Sequence, residues 1–420
     1  MIDYSTLPHH KILCIDMKSF YASCSAVMLG LDPLDCYIAI VGDKERQGSV
    51  VLAASPKLKK EFGIKTGSRL FEVPKDDPRV QIVEPKMATY LRISTEITRV
   101  FNRYVPKEAI HVYSVDESFI KVDEVLHLWG DARTIAEKIK NDIEREFQLP
   151  CTIGIGPNML LAKLCLDLEA KKTWIAEWTY EDVQTKLWKV SPLREMWGIG
   201  RRVEKTLNGM GIFTVGQLAR HDLDILEKKF GIMGNQLYHH AWGVDLSDLG
   251  APIIEGQISF GKSQILLRDY KDEEEIKHVI LEMCEEVARR ARTRRKAGRT
   301  VSLGVGYSQD EFGGGFHRAR TIKQPTNVTM ELYRVCLELF YEHYNGKTVR
   351  QISISLGNIV DDCELQLDLF DLGAYKRREL GYVVDSVRRR FGPGSLLRAV
   401  SYTSGGTAKH RATLVGGHKM

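Results

Sequence analysis

A chain of 420 residues, 43% hydrophobic and 27% charged, lies in the ordinary globular range and, at about 100–200 residues per domain, has room for several domains. These values exclude a disordered, collagen-like or membrane-embedded chain: no apolar run approaches the roughly 18 residues of a spanning helix, and Met1-Ile2-Asp3-Tyr4 opens no basic-then-apolar leader, so a cytoplasmic protein is expected. The net charge of +5 is too small to indicate a polyanionic partner by itself, and the eight dispersed cysteines, without a C-x-x-C pair, suggest buried thiols of a reducing compartment and not a zinc or disulfide framework.

In chain order, Ile12-Leu13-Cys14-Ile15 predicts a central strand stopping at Asp16, and residues 19–29 a helix broken by Gly30, Asp32 and Pro33. A strand is expected at 37–41. Helical spacing of Met87, Tyr90, Leu91, Ile97 and Phe101, and of Ile135, Ile139, Ile143 and Phe147, predicts two amphipathic helices around strands at 110–115, 119–122 and 151–156. The interleaving up to about residue 175 implies an α/β layer with helices on one face of a sheet. From about 185 to 247, Gly198, Gly200, Gly209, Gly211, Gly231 and Gly234 punctuate a small all-helical module. Strands at 259–267, 300–307, 317–322 and 351–359, with helices around 276–287 and 332–340, give the β-α-β-β-α-β order of a split βαβ, ferredoxin-like unit. The last twenty residues, glycine-bearing and poor in large apolar side chains, are expected to be mobile.

Asp16, at the end of one strand, and Asp116-Glu117, between two others, can converge on one rim of the same sheet. Taken alone they read as an N-cap and a polar turn, as most acidic residues at strand ends are. As a cluster they suit Mg²⁺, a hard ion that prefers oxygen ligands, and two ions about 3.5–4 Å apart would serve phosphoryl transfer. The surrounding residues are more specific. His111-Val112-Tyr113-Ser114-Val115-Asp116-Glu117-Ser118-Phe119 and Ile15-Asp16-Met17-Lys18-Ser19-Phe20-Tyr21-Ala22-Ser23-Cys24 resemble the paired catalytic motifs of Y-family translesion DNA polymerases. The resemblance continues through Phe62-Gly63-Ile64-Lys65-Thr66-Gly67, like the family's fingers segment, and Gly154-Ile155-Gly156-Pro157-Asn158-Met159-Leu160-Leu161-Ala162-Lys163 with Asp167, like its palm. It spans about residues 10–360 and is greatest to the bacterial UmuC-type and UvrX-type UV-repair branch.

That resemblance implies an α+β multidomain right hand: a ferredoxin-like palm at 1–21 and 83–180, small fingers at 22–82, a helical thumb at 181–247, a ferredoxin-like little finger at 255–360, and a tail at 361–420. It implies that Asp16, Asp116, Glu117 and the Met17 carbonyl hold two Mg²⁺ ions. Phe20 and Tyr21 would bind the incoming nucleotide, Tyr21 as the steric gate against ribonucleotides, and Lys60 and Lys163 would reach the triphosphate. This chain departs from the family at Lys60, where many relatives have Arg, at Lys57, where many have Tyr, and at Lys18, which replaces a common acidic residue.

Trp197-Gly198-Ile199-Gly200-Arg201-Arg202-Val203 reads as a helix-hairpin-helix turn in which Gly198 and Gly200 expose backbone N–H groups to a phosphate. Arg289, Arg290, Arg292, Arg294, Arg295, Lys296 and Arg299 form a basic run that is either a solvated helix end or, with Lys262, Arg318, Arg320 and Lys323, a DNA-facing surface. Gln366-Leu367-Asp368-Leu369-Phe370 resembles the peptide by which bacterial polymerases dock on the β sliding clamp. The family thus implies a monomeric DNA-directed DNA polymerase, a nucleotidyltransferase of low fidelity, acting in DNA repair, mutagenesis and the SOS response. Its partners would be primer-template DNA, dNTPs and the clamp, with accessory subunits left open. A palm-type nucleotidyl cyclase and a noncatalytic, clamp-recruited DNA-binding scaffold are the two other readings.

Overall fold

In the computed structural model, residues 2–249, 259–362, 373–415 and 418–419 are described, and the chain divides near residue 252 into two units. The first carries strands β1 (Ile12–Met17), β2 (Tyr37–Val41), β3 (Val51–Ala54), β4 (Val80–Val83), β5 (Ile110–Val112), β6 (Glu117–Lys121), β7 (Cys151–Gly156) and β8 (Ile175–Glu177). Five of them form a sheet in the order β5-β6-β1-β7-β8, antiparallel except for the β7/β8 pair. Ile12 to Ile15 are all buried, as a strand covered on both faces requires, which is why β1 is central.

Register places Leu13, Ile15, Ile153 and Ile155 on one face, under helix Ala132–Phe147. Helix Met159–Cys165 lies on the other. It approaches β7 so closely that a Cβ on Gly154 would stand 2.3 Å from the Ala162 carbonyl oxygen, and one on Gly156 2.5 Å from the Ala162 nitrogen. The sheet is therefore covered on both faces, not on one as the interleaving suggested. Residues Leu160 to Cys165 are buried throughout, so they show no amphipathic period.

The core on this second face runs on through Trp178 and Tyr180 into the helical module, taking in Leu187, Leu193, Leu207, Leu218, Leu226 and Leu237. The module's helices are Arg201–Gly209, Val215–Ala219, Leu223–Phe230 and Ile232–Ala241. Between β1 and β5 lie helices Phe20–Met28 and Pro56–Phe62 and a small sheet, β3-β2-β4, in which β2 pairs antiparallel with β3 and parallel with β4.

The second unit is built on β9 (Ser259–Tyr270), β10 (Lys296–Tyr307), β11 (Gly315–Thr326) and β12 (Val349–Asp361), ordered β11-β10-β12-β9 with every neighbour antiparallel. The parallel pair β9 and β10, joined by helix Glu273–Thr293, is split by β12, and the pair β11 and β12, joined by helix Thr329–His343, is split by β10. Val301, Leu303 and Val305 face Leu356, Ile354 and Ile352 across the β10/β12 ladder and pack under the helices.

Described residues beyond 373 are anchored as far as Thr407, which lies within the last twenty residues expected to be mobile. Helix Ala374–Phe391 is tied to the unit by Asp385, which accepts from buried Arg292 at 2.7 Å. Further on, the Thr407 backbone N–H and hydroxyl each donate to buried Glu282 at 2.8 Å. Composition misled here because these anchors are polar. Gln366, Leu367, Leu369 and Phe370, the clamp-like peptide, lie outside the described residues.

Candidate active site

β6 begins at Glu117, two residues before the expected strand, and this puts Glu117 directly opposite Asp16 in the β1/β6 ladder. Asp116 occupies the preceding turn. Its carbonyl accepts the Met17 N–H at 2.9 Å, and its carboxylate accepts the Ser114 hydroxyl at 2.6 Å. Local strand register and one tight turn thus bring Asp16, Asp116 and Glu117 to a common rim.

The rim is not electrostatically bare. Asp16 pairs with Lys171 at 3.3 Å, Lys171 with Asp167 at 2.6 Å, Asp167 with Lys163 at 3.2 Å, and Lys163 with Glu117 at 2.8 Å, a file of alternating charges. Burial pushes the Asp16 carboxyl up to about 6 against the pull of Lys171. Burial also opposes the Lys163 charge, but the bonds from Glu117 and Asp167 outweigh it and hold its pKa above the ordinary value. Cys14, a thiol raised well above its usual range by burial, donates to Glu117 at 3.2 Å. Lys171 escaped the sequence reading. The available signal was the i, i+4 spacing of Lys163, Asp167 and Lys171, carried across the π turn at Leu166–Ala170.

Carboxylate and carbonyl oxygens are hard donors that suit a divalent cation. Among the described residues no three acidic, imidazole or thiol groups already close around one point. The lysines supply the counter-charge instead, so these carboxylates can ligate an ion once the Lys171 and Lys163 ammoniums give way.

The Tyr21 ring stacks on buried Tyr90, 4.8 Å between centroids, and the Tyr90 hydroxyl lies 2.7 Å from Ser25 Oγ, which fixes the gate candidate in place. Phe20, only 3% exposed, points into the core. From helix Pro56–Phe62 it is Lys59 that turns toward the acidic rim: its Nζ donates to Ser19 Oγ at 2.8 Å, and burial lowers its pKa within the field of Asp16 and Asp116. Lys60 is exposed and forms no ion pair among the described residues. Lys57 is drawn away by Asp35, and Lys18 lies over the Trp174 ring at 4.5 Å.

Gly198 adopts φ +92°, and Gly200 opens helix Arg201–Gly209 without a side-chain cap. Trp197, just before them, packs on Tyr113 and Phe119 beside the acidic turn. In the second unit, strand alternation sets Lys262 opposite Ile354 and Arg318 opposite Leu303, on the helix-covered face. Arg320 shares that face and is held by Glu338 and Glu342, each at 2.6 Å. Of the basic run, Arg289 and Arg290 share Glu286, Arg292 holds Asp385, and Lys296 holds Asp361. Arg294, Arg295 and Arg299 make no ion pair among the described residues.

Residues 15–167 match the impB/mucB/samB family, 180–212 the IMS family HHH motif, and 257–369 the impB/mucB/samB family C-terminal domain. The chain is 62% identical, over the full length of both proteins, to "Putative UV-damage repair protein UvrX" of Bacillus subtilis (strain 168). It is 38% identical to "DNA polymerase IV 2" of the same organism over 97% of this chain and 98% of that one. This chain belongs to the Y family of DNA polymerases. A solved Y-family DNA polymerase chimera, Dbh-Dpo4(243-245)-Dbh, shares the fold at a TM-score of 0.66 and 20% identity, covering 84% of this chain and 99% of that one. In this Y-family chain the helical module carries the helix-hairpin-helix motif and the second unit is the little finger. Among the described residues no helix is long and apolar enough to cross a membrane.

Proposed function

We propose that this Y-family chain is a template-directed DNA polymerase that carries out low-fidelity synthesis past damaged bases, adding nucleotides from dNTPs to a primer 3′-hydroxyl. The observation that carries the reading is the register that sets Asp16 against Glu117 with Asp116 at the adjoining turn. Two Mg²⁺ ions held by Asp16, Asp116, Glu117 and the Met17 carbonyl would lower the pKa of the attacking hydroxyl and neutralise the leaving phosphates. The chain's own residues divide the remaining work. Lys163 and Lys171, freed from their carboxylates, move to phosphate oxygens, where their charge counts most as negative charge builds. Tyr21, braced by Tyr90, excludes a 2′-hydroxyl by contact. The Gly198–Gly200 turn offers backbone N–H groups to a DNA phosphate irrespective of sequence. The peptide Gln366 to Phe370 would recruit the chain to the sliding clamp.

The relatives' names, a UV-damage repair protein and a DNA polymerase, support this reading over the cyclase and the scaffold. The test is Mg²⁺-dependent primer extension on undamaged and lesion-bearing templates by wild type and by an Asp116→Ala, Glu117→Ala double variant. Extension by wild type alone is the expected result. A folded, DNA-binding wild type that extends nothing would favour the scaffold, and a cyclised nucleotide product the cyclase.

A further inference from the structure

Cys14 is fully buried in the middle of β1, opposite Phe119 in the β1/β6 ladder and opposite Gly154 in the β1/β7 ladder. Glu117, two residues before Phe119 on β6, is therefore its diagonal neighbour, on the face of the sheet that helix Met159–Cys165 covers. That helix, pressed onto Gly154, carries Lys163 to the same carboxylate. Both donors meet one atom. Glu117 Oε1 accepts the Cys14 thiol at 3.2 Å and the Lys163 ammonium at 2.8 Å, and among the described residues no group donates to Oε2. No other thiol among the described residues donates to a carboxylate: Cys36 donates to the Pro33 carbonyl, and Cys284 lies 3.7 Å from Cys336.

The two donors differ in how firmly they stay. Lys163 ends a flexible four-carbon stem, and under the function proposed above it leaves Glu117 for a phosphate oxygen. The thiol, on a short side chain of the central strand, cannot follow. We propose that Cys14 is a positioning residue: its thiol keeps Glu117 Oε1 engaged when Lys163 departs, so that Oε2 remains free for the divalent cation. This role holds only if Glu117 ligates such an ion, as the proposed function has it. Hydrogen-bond partners of ligating groups are typically worth about 10- to 100-fold in metal affinity, and S–H is a weak donor, so an effect of about three- to tenfold is expected. If Cys14 only filled the core, valine would serve as well and a serine hydroxyl would gain nothing.

The test uses the full chain on a primer-template with a 3′-dideoxy end, where no turnover occurs, and follows Mn²⁺ binding by electron paramagnetic resonance; the Mg²⁺ half-saturation of extension is measured in parallel on an ordinary primer. Cys14→Val should weaken Mn²⁺ binding and raise the Mg²⁺ half-saturation by about three- to tenfold, with KM for the primer-template unchanged, and Cys14→Ser should keep both within about twofold of wild type. Cys14→Ala replaces Cys14→Val if the latter lowers Tm. In a Glu117→Gln background, Cys14→Val should change Mn²⁺ binding by less than about twofold, because the two residues act through one contact. Wild-type affinity in Cys14→Val, equal weakening by valine and serine, or an undiminished effect in the Glu117→Gln background would overturn the proposal. So would Mn²⁺ binding by wild type that Glu117→Gln leaves unaltered. A wild type that binds Mn²⁺ through Glu117 yet extends no primer refutes the polymerase reading alone, and the Mn²⁺ affinities of the variants still decide the role of Cys14.

Discussion

The β5-β6-β1-β7-β8 sheet and the little-finger sheet share a grammar of strands alternating with helices, yet they dispose of charge in opposite ways. In the first, Asp16, Glu117, Asp167, Lys163 and Lys171 are gathered at one rim and neutralise one another. In the second, Arg320, Arg289, Arg290, Arg292 and Lys296 are each bound by glutamates or aspartates on or beside the helices. On the other face the middle of strands β10 and β12 presents uncharged residues, Thr300, Ser302, Gly304, Gly306, Gln351, Ser353, Ser355 and Gly357. Ion pairs at a half-open rim can be exchanged for other ions, whereas a buried pair such as Arg292–Asp385 fixes an element in place. The contrast separates a rim whose charges can be exchanged from a unit whose charges hold its elements together.

The sharpest way to break that contrast is to remove charge from the rim. Asp116→Asn with Glu117→Gln should lower primer extension at least about a thousandfold with an unchanged circular dichroism spectrum; near-normal extension would deny the rim its chemistry. In the little finger, Arg292→Met should leave Asp385 buried without its partner at a cost of about 3 kcal/mol. It should appear as lost hydrogen-exchange protection over 374–391, with extension on a primed template retained. Back in the first unit, Tyr21→Ala should erode discrimination between dNTPs and ribonucleotides by about 10- to 100-fold in kcat/KM, and unaltered selectivity would show that the ring does not gate. Gly154→Ala forces a Cβ onto the backbone of helix Met159–Cys165 and should destabilise the first unit by about 2 kcal/mol, visible as a lowered Tm.

The smallest effect concerns an exposed pair. Arg103 holds the Glu146 carboxyl down to about 2, below its ordinary 4.5, so the stability this pair contributes is present above pH 4.5 and is lost as pH falls toward 2. Arg103→Ala should flatten the acid limb of the denaturation profile over that window.

The acidic rim was legible because its members sit in contiguous motifs and short-range register does the rest. The choice between neighbouring Lys59 and Lys60 was not, since one residue turns a helical side chain by about 100° and only the placement of helix Pro56–Phe62 fixes the phase. The strands β3 and β4, four residues each, are too short to show a period. Strand alternation could have put Arg318 and Arg320 on one face, because they lie two residues apart with Phe316 and Ile322, both packed on the core, to either side. The hold on Thr407 within the last twenty residues was not legible, because it comes from hydrogen bonds to Glu282, more than a hundred residues away, and leaves no apolar signal in the local composition.

The core that passes unbroken from β1 through Trp178 into Leu187, Leu207 and Leu237 has a mechanical meaning. Swinging the helix-hairpin-helix module away from the sheet would wet that seam at about 25 cal/mol for every Å² of apolar surface opened. The module and the carboxylate rim are therefore tied into one body, and the distance between them is set by the core and not by a hinge.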